Sequence, residues 1–203
     1  MDIRLTNTGK RFNREWIFRG IDYHFKQGNA YAITGANGSG KSTLLQVIAG
    51  ALMHSEGSID FTANNKTVDA AIAYKNISIN APYLELIEEM TALEFLSFHT
   101  SFKKLIIPVD EILQEVNLQS AANKQIRYYS SGMKQRLKLA QAFYSDTSVL
   151  LLDEPTTNLD EAGIKLYKTL ISKYTTNRLV IVCSNDKNEY EFCREVIKVE
   201  DYK

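Results

Sequence analysis

The residues best suited to do chemistry are crowded into nine positions, "GANGSGKST", between the apolar run "AYAIT" and the segment "LLQVIAG". Their spacing matches G-x-x-x-x-G-K-[ST], and they lie where a strand pattern gives way to a helical one, as that motif requires. The glycines let backbone N–H groups turn towards phosphate oxygens, and the following helix adds partial positive charge. Lys41 can reach the outer phosphates and Ser42 can offer its hydroxyl to Mg²⁺. The segment therefore predicts a nucleoside triphosphate site formed by Gly35, Ala36, Asn37, Gly38, Ser39, Gly40, Lys41, Ser42 and Thr43.

A second segment, "SVLLLDEPTTNLD", is an apolar strand pattern that ends in two carboxylates. Asp153 is expected at the carboxyl edge of the sheet, beside the phosphate site, where it can hold Mg²⁺ through water. Glu154 is then placed to polarise the attacking water. The two segments together predict hydrolysis of the triphosphate as well as its binding.

Composition limits the remaining possibilities. The chain has 203 residues, of which 44% are hydrophobic, and this suffices for the core of one ordinary domain. Its 24 Lys and Arg balance 24 Asp and Glu, so no overall field recruits nucleic acid, and no nucleic-acid partner is expected. No apolar run approaches the roughly 20 residues of a membrane-spanning helix, and no signal-type segment begins the chain, so a cytoplasmic location is expected.

Strand and helix patterns alternate along the chain, which predicts an α/β fold with a largely parallel central sheet and a ligand site at the carboxyl ends of the strands. From about Thr91 to Tyr144, three helical patterns follow one another without a good strand, and they predict a helical insertion. Thr91 and Glu94 have the spacing of a capping box that would begin it. The predicted strands are Asp2–Thr6, Ile21–Phe25, Tyr31–Thr34, Gly57–Phe61, Ala71–Ile77, Ser148–Leu152, Leu179–Ser184 and Val196–Val199, and the predicted helices are Ser42–Gly50, Ala92–Phe102, Asp110–Val116, Ser131–Tyr144 and Glu161–Tyr174.

A third segment, "YYSSGMKQRLKLAQAF", resembles the signature motif of ATP-binding cassette (ABC) proteins, which is LSGGQ followed by a basic helical tail. With the two segments above, and in this order, it makes the whole chain similar to one ABC ATPase domain. The resemblance implies a P-loop fold of ABC type, with a mixed central sheet, an N-terminal antiparallel β-subdomain and a helical insertion. It implies a single domain over residues 1–203, with a RecA-like body at about 1–88 and 146–203 and a helical subdomain at about 89–145.

The same resemblance assigns roles to the signature residues. Ser130 matches the signature serine, Ser131 replaces the first glycine, Gly132 keeps the second, and Met133 replaces the glutamine. In the family this segment faces a γ-phosphate held by a second subunit. The resemblance thus implies a head-to-tail dimer around two ATP molecules, either a homodimer or a heterodimer. "TNLD" matches the D-loop of the family and would place Asp160 at the dimer seam.

Two residues typical of the family are replaced. Asn80 aligns with a glutamine that usually precedes the helical insertion, and it is one methylene shorter. Asn185 aligns with a histidine, and it can donate a hydrogen bond to a γ-phosphate but cannot carry charge. Slow hydrolysis is expected, although Glu154 argues against an inactive site. The catalytic residues implied are Glu154, Lys41, Asn185 and Asp160, and the residues implied to hold Mg²⁺ are Ser42, Asp153 and Asn80.

Aromatic and apolar residues suggest two further contacts. In the family an aromatic side chain of the N-terminal strands stacks on adenine; Phe12 in "GKRFNREW" aligns best and Trp16 is the alternative, and either could instead anchor the core. A groove between the body and the insertion would receive a cytoplasmic helix of a membrane partner. Its predicted lining is Tyr83, Leu84, Leu86 and residues 95–102, some of which would instead pack the core of the insertion.

Three functions remain open at the level of sequence. The first is the ATP-hydrolysing subunit of a transporter, peripheral on the inner face of the membrane, whose permease is a separate chain; similarity to the ABC-2-like group favours export. The second is an ABC protein of translation or DNA repair, although such proteins usually carry two cassettes or a long coiled coil, and this chain has neither. The third is a weakly hydrolysing regulatory subunit, favoured by Asn80 and Asn185 and opposed by Glu154. The transported substrate is not specified, because a permease would recognise it.

Overall fold

Four antiparallel strands form a sheet made almost entirely from the N-terminal third of the chain. The computed structural model describes every residue from Met1 to Lys203. The strands are β1 Asp2–Phe12, β2 Glu15–Phe25, β4 Glu56–Ala63 and β5 Lys66–Val68. Their order in the sheet is β2-β1-β4-β5, and β1 pairs with both β2 and β4.

Five parallel strands form the central sheet, in the order β6 (Ile77–Asn80), β7 (Val149–Asp153), β8 (Leu179–Cys183), β3 (Ala30–Thr34) and β9 (Glu195–Lys198). The predicted N-terminal antiparallel β-subdomain is therefore a sheet of its own, and the central sheet, which was predicted to be mixed, contains only parallel strands. All residues of β7 and β8 are buried, as expected for parallel strands covered on both faces. The predicted α/β fold class is confirmed.

Seven α-helices accompany these strands, and three consecutive ones lie between β6 and β7 in the chain. The capping box predicted for the first of the three is present: Glu94 N–H donates to Thr91 Oγ1 at 3.2 Å and Thr91 N–H donates to Glu94 Oε2 at 2.8 Å. None of the helices has both the length and the apolar composition needed to cross a membrane. The helices are α1 Lys41–Ile48, α2 Ala70–Ala73, α3 Ala92–His99, α4 Val109–Glu115, α5 Ser131–Tyr144, α6 Glu161–Tyr174 and α7 Lys187–Tyr190.

The strand predicted at Ala71–Ile77 is wrong. The Asp69 carboxylate accepts the Ala71 N–H at 2.9 Å and caps the short helix α2, and a 3₁₀ turn follows before the strand begins at Ile77. Alanine-rich sequence favours helix once a cap is present, and here that preference outweighs the β-branched and aromatic residues. The strand that does form ends at Asn80, so this side chain lies at the carboxyl edge of the sheet.

Successive residues of β7 point into two different hydrophobic clusters. Val149 and Leu151 join the cluster that contains α1 and the antiparallel sheet, whereas Leu150 and Leu152 join the cluster of α3 to α6. The helical insertion thus shares its core with one face of the central sheet. The boundaries of a separate helical subdomain at about 89 and 145 stay a prediction.

The half-buried carboxylate of Glu115 links the helical insertion to α6. Glu115 Oε2, at the end of α4, accepts hydrogen bonds from Tyr144 Oη at 2.5 Å and from Tyr174 Oη at 3.0 Å. These donors, Tyr144 first, hold the pKa of Glu115 below its usual range, although partial burial opposes them. We call this set of three side chains the tyrosine clamp.

Candidate functional site

At two positions in the loop between β3 and α1, the backbone has a conformation that only glycine adopts readily. Gly35 and Gly40 have φ angles of 151° and 105°. A Cβ atom at Gly40 would lie 2.4 Å from Ile17 Cγ2, and one at Gly35 would lie 2.6 Å from Ser39 Oγ. The loop, which we call the phosphate cradle, borders a cavity of about 300 Å³ lined by Ile17, Asn37, Gly38, Gly40, Lys41, Ser42, Thr43 and Glu154.

Polar groups of the cradle lack the partners that a closed protein interior would supply. α1 begins after Gly40 with no side-chain cap, so its first N–H groups are open to an anion. Ser39 Oγ is buried without a hydrogen-bond partner. Lys41 is buried, and its Nζ donates to the carbonyls of Gly35 at 2.7 Å and Ala36 at 3.3 Å. These features fit a polyphosphate, because its oxygens accept from all of them.

Asp153 closes β7 at the rim of the cradle. Its carboxylate is buried, and Oδ2 has no hydrogen-bond partner. Burial raises the pKa of Asp153 above its usual range, although the neighbouring Ser42 hydroxyl and the charge of Lys41 oppose this shift. An unpartnered buried carboxylate oxygen next to a hydroxyl fits a hard cation such as Mg²⁺. No cluster of three or more His, Cys, Asp or Glu side chains is arranged to hold a metal, so phosphate and water would have to complete its ligands.

Glu154 has an unusual backbone. Of the seven non-glycine residues with positive φ, six are asparagines and the seventh is Glu154, at 44°. Asparagine tolerates this region, whereas glutamate does so at a cost of order 1 kcal/mol or more. The Glu154 N–H donates to Cys183 O at 2.9 Å, and the exposed side chain borders the cavity of the cradle. Strain of this kind clusters at functional sites.

Asn185 reaches the cradle from the loop after β8. Its Oδ1 accepts the Gly35 N–H at 3.2 Å, which leaves the side-chain NH₂ as its free donor. A cavity of about 270 Å³ lies between Asn37, Glu154 and Asn185. The structure therefore brings together four of the predicted features: the cradle, Asp153, Glu154 and Asn185.

The predicted signature residues do not line either of these cavities. Ser130 caps α5, and its Oγ accepts the Met133 N–H at 3.3 Å. Gly132 packs beside the loop after Glu154, since a Cβ there would lie 3.2 Å from Asn158 O. Ser131 borders a different cavity of about 470 Å³, between α5 and residues 82–88. Within one chain, then, the signature segment and the cradle belong to separate surfaces.

Asp160 and the two candidate aromatic residues also lie outside the cavity of the cradle. The Asp160 carboxylate accepts the Gly163 N–H at 2.8 Å and pairs with Arg136 Nη2 at 2.8 Å; both contacts, Gly163 first, lower its pKa. The apolar residue that does border the cavity is Ile17.

The two aromatic residues differ in their surroundings. Phe12 is 47% exposed, and Lys10 Nζ lies 4.9 Å from its ring centroid. Trp16 carries two guanidinium groups over its ring, with Arg19 Cζ at 4.5 Å and Arg11 Cζ at 5.5 Å from the centroid. Phe12 is therefore the freer of the two to stack on another ring.

Asn80 is buried, and only the oxygen of its side-chain amide has a hydrogen-bond partner. Its Oδ1 accepts from Gln135 Nε2 at 3.4 Å, and its Nδ2 has no partner. The same Gln135 Nε2 donates to Pro155 O at 2.7 Å. Sequence reasoning did not identify Gln135, although a polar residue one turn before Leu139, on the buried face of α5, was a usable signal.

Two carboxylates near the site were also missed. Glu189 is buried and accepts from the N–H and Oγ1 of Thr156, at 2.7 and 2.5 Å. Glu200 accepts the Ala36 N–H at 2.6 Å, and this contact lowers its pKa. Both lie in polar stretches near the C-terminus of the chain, where single charges usually belong to solvated surface, so no sequence signal distinguished them.

Comparison with known proteins identifies the family. The family described as "ABC transporter" matches residues 18–157, which is more than half of the chain. This chain belongs to the ABC transporter family. It is an ATP-binding ATPase subunit, as the signature segment and its order with the other two motifs predicted.

Two curated relatives and one solved structure illustrate the similarity. The chain is 29% identical over 190 residues to the uncharacterized ABC transporter ATP-binding protein YybJ of Bacillus subtilis, covering 92% of this chain and 87% of that protein. It is 29% identical over 208 residues to the linearmycin resistance ATP-binding protein LnrL of Bacillus subtilis, covering 98% of this chain and 66% of that protein. A dimeric ATP-binding cassette in a post-hydrolysis state, bound to ADP and Pi, is 25% identical with a TM-score of 0.82, covering 97% and 94% of the two chains.

Proposed function

We propose that this ABC ATPase works as a head-to-tail dimer that closes around two ATP molecules and drives a separate membrane-spanning permease, in the direction of export. The observation that carries the proposal is the separation, on one chain, of the cradle from the signature segment. The cradle lies at one surface with buried groups that lack partners, and the exposed Ser130 begins α5 at another. A second copy in the reverse orientation would bring Ser130 to the outer phosphate of its neighbour. Each ATP would then contact both subunits.

Within one half of this dimer, the side chains of the cradle have distinct roles. Lys41 binds the outer phosphates, and Ser42 and Asp153 would hold Mg²⁺, which neutralises phosphate charge when bound. Glu154 polarises the attacking water, and its left-handed backbone directs the carboxylate to the rim of the cavity. Asn185 donates its free NH₂ to the γ-phosphate, while Phe12 stacks on adenine. Asp160 lies at the interface between the two subunits.

A groove beside β6 suits the membrane partner. A cavity of about 210 Å³ is lined mainly by apolar side chains that include Tyr74, Ile79, Tyr83 and Leu84. Tyr83 and Leu84 are 43% and 37% exposed, so they are available to a partner helix. Two other predicted groove residues, Leu86 and Phe95, are buried in the core instead. Binding there would hold the chain at the inner face of the cell membrane.

The direction of transport is proposed from the relatives. One of them is named as a linearmycin resistance protein, and resistance to such a compound is consistent with its removal from the cell. We therefore favour export over import, and we expect the substrate to be recognised by the permease.

The test is sedimentation of Glu154→Gln with ATP and Mg²⁺. The variant should form a dimer that persists, because it binds ATP without consuming it, and the dimer should dissociate when ATP is removed. Glu111→Gln, at an exposed carboxylate of α4, is the matched control and should show no lasting dimer. A Glu154→Gln protein that stays monomeric at saturating ATP would contradict the closed dimer.

A second role, as a weakly hydrolysing regulatory subunit, is favoured by one specific observation. Asn80 does not border the cavity of the cradle, and its Oδ1 atom accepts a hydrogen bond from Gln135 instead. Steady-state hydrolysis decides between the two roles, because a driving subunit must turn over ATP faster when its permease is present.

A further inference from the structure

Gln135 occupies a place where three parts of the site meet. It lies in the second turn of α5, five residues after Ser130, and it is buried although its side chain is polar. Its Nε2 donates to Pro155 O at 2.7 Å and to Asn80 Oδ1 at 3.4 Å. One side chain thus joins the signature helix to the end of β6 and to the residue that follows Glu154.

The bond to Pro155 matters because of the backbone of Glu154. Glu154 has a φ of 44°, which a glutamate adopts only when its surroundings hold it there. On the upstream side its N–H is held by Cys183 O at 2.9 Å. On the downstream side the carbonyl of Pro155 is held by Gln135. The two bonds fix the chain on both sides of the strained residue.

Burial makes the Gln135 bonds hard to replace. If Gln135 were absent, the Pro155 carbonyl would lose a short hydrogen bond in a position shielded from water, and the strained turn could relax. Downstream, Glu189 holds the N–H and hydroxyl of Thr156, so the loop as a whole would stay in place while the segment around Glu154 shifted.

We propose that Gln135 is a positioning residue for the carboxylate of Glu154, and that it makes the placement of that carboxylate depend on the position of α5. This inference rests on the role proposed above for Glu154. A shift of α5, whose first residues carry the signature, would move the Pro155 carbonyl and with it the carboxylate.

The experiment is single-turnover ATP hydrolysis by Gln135→Met, which keeps the volume of the side chain and removes the donor. The rate should fall about 10- to 100-fold, as expected when a catalytic group is displaced by around 1 Å. ATP affinity should stay at the parental value, because no atom of Gln135 lines the cradle. Gln141→Met is the matched control: Gln141 is on the same helix, contacts His99 Nδ1 at 3.2 Å, and should leave the rate unchanged.

A double mutant separates positioning from a general loss of structure. In a Glu154→Gln background, Gln135→Met should cause no further fall in rate, because the group it positions is already gone. An equal fractional fall in both backgrounds would overturn the inference, and so would a parental rate for Gln135→Met. If Gln135→Met does not fold, Gln135→Asn replaces it, since its amide is one methylene too short to reach Pro155 and the same outcomes apply. Parental hydrolysis by Glu154→Gln alone would instead refute the proposed role of Glu154.

Discussion

The phosphate cradle and the signature segment both use the beginning of a helix, yet the two helix ends differ in what they lack. At the cradle, α1 has no side-chain cap, and Ser39 Oγ and Asp153 Oδ2 are buried without partners. At the signature, Ser130 already caps α5 and is exposed to solvent. The cradle therefore has polar groups that a ligand could satisfy, whereas the helix end at the signature segment is already capped by its own side chain.

This difference explains why the structure of a single chain indicates the role of the cradle but not the role of the signature segment. A buried polar atom without a partner costs about 1–3 kcal/mol, and a bound phosphate or cation can offset that cost. The unpartnered polar atoms of the cradle thus indicate that it binds a phosphate or a cation. An exposed, capped helix end gives no such signal, and its function requires the surface of a second molecule.

Removing the charge of the cradle should give the largest effect on binding. Lys41→Ala removes a charge-assisted contact of about 1.5–3 kcal/mol, so the Kd for ATP should rise about 10- to 100-fold. Calorimetry with a non-hydrolysable ATP analogue measures this. Lys187→Ala, at an exposed lysine of α7, is the control and should bind like the parent. Unchanged affinity in Lys41→Ala would mean that the cradle does not hold the phosphates.

The signature segment is tested by a change that keeps the helix cap. Ser130→Asp can still cap α5, but in the proposed dimer it would place a carboxylate against the neighbour's γ-phosphate. Like charges across an interface cost several kcal/mol, so ATP-driven dimerisation should weaken by about tenfold or more. Sedimentation in the Glu154→Gln background measures it, and monomer affinity for ATP should be unchanged. A matching loss of monomer affinity would show that Ser130 serves its own cradle.

Asn185 should give a smaller effect on rate. Asn185→Ala removes a neutral hydrogen bond worth about 0.5–1.5 kcal/mol, which corresponds to single-turnover hydrolysis about two- to tenfold slower. Asn185→His should raise the rate, because an imidazolium can make a charge-assisted bond. If Asn185→Ala hydrolyses ATP at the parental rate, the residue serves only to hold Gly35, whose N–H it accepts.

The tyrosine clamp should affect stability alone. Glu115→Gln weakens the bonds from Tyr144 and Tyr174, and a loss of about 1 kcal/mol lowers Tm by about 2–4 °C in a chain of this size. Since the folded-state pKa of Glu115 is lowered, its contribution is present above the unfolded carboxyl pKa and is lost as pH falls through the folded pKa. The difference in Tm between parent and variant should therefore shrink in acid. A difference that is constant with pH would contradict the ionised clamp.

The cradle and the carboxylates could be predicted because their chemistry is local in sequence. Glycines, Lys41 and Ser42 lie within one loop, and Asp153 and Glu154 follow directly after a buried strand. The prediction of a strand at Ala71–Ile77 was wrong because a single capping residue, Asp69, decided between nearly balanced helix and strand propensities. Leu86 and Phe95, which lie in the core, could not be distinguished from groove residues, since an apolar pattern does not reveal which side of a helical insertion faces the core.

Long-range hydrogen bonds were beyond sequence reasoning. Gln135 meets Asn80 across 55 residues and Pro155 across 20. Its type and spacing could indicate burial on α5, but the partners follow from how β6, α5 and the loop after β7 come together. The same applies to Glu200, which reaches Ala36 across 164 residues.

The left-handed backbone at Glu154 has a consequence for directed evolution. Asparagine or glycine at this position would fit the backbone better than glutamate does, as the six other left-handed non-glycine residues illustrate. A selection for thermal stability alone would therefore favour replacing Glu154. Under the role proposed here, the selected variants would be more stable and would bind ATP without hydrolysing it. Keeping glutamate at this position then favours ATP hydrolysis at the expense of thermal stability.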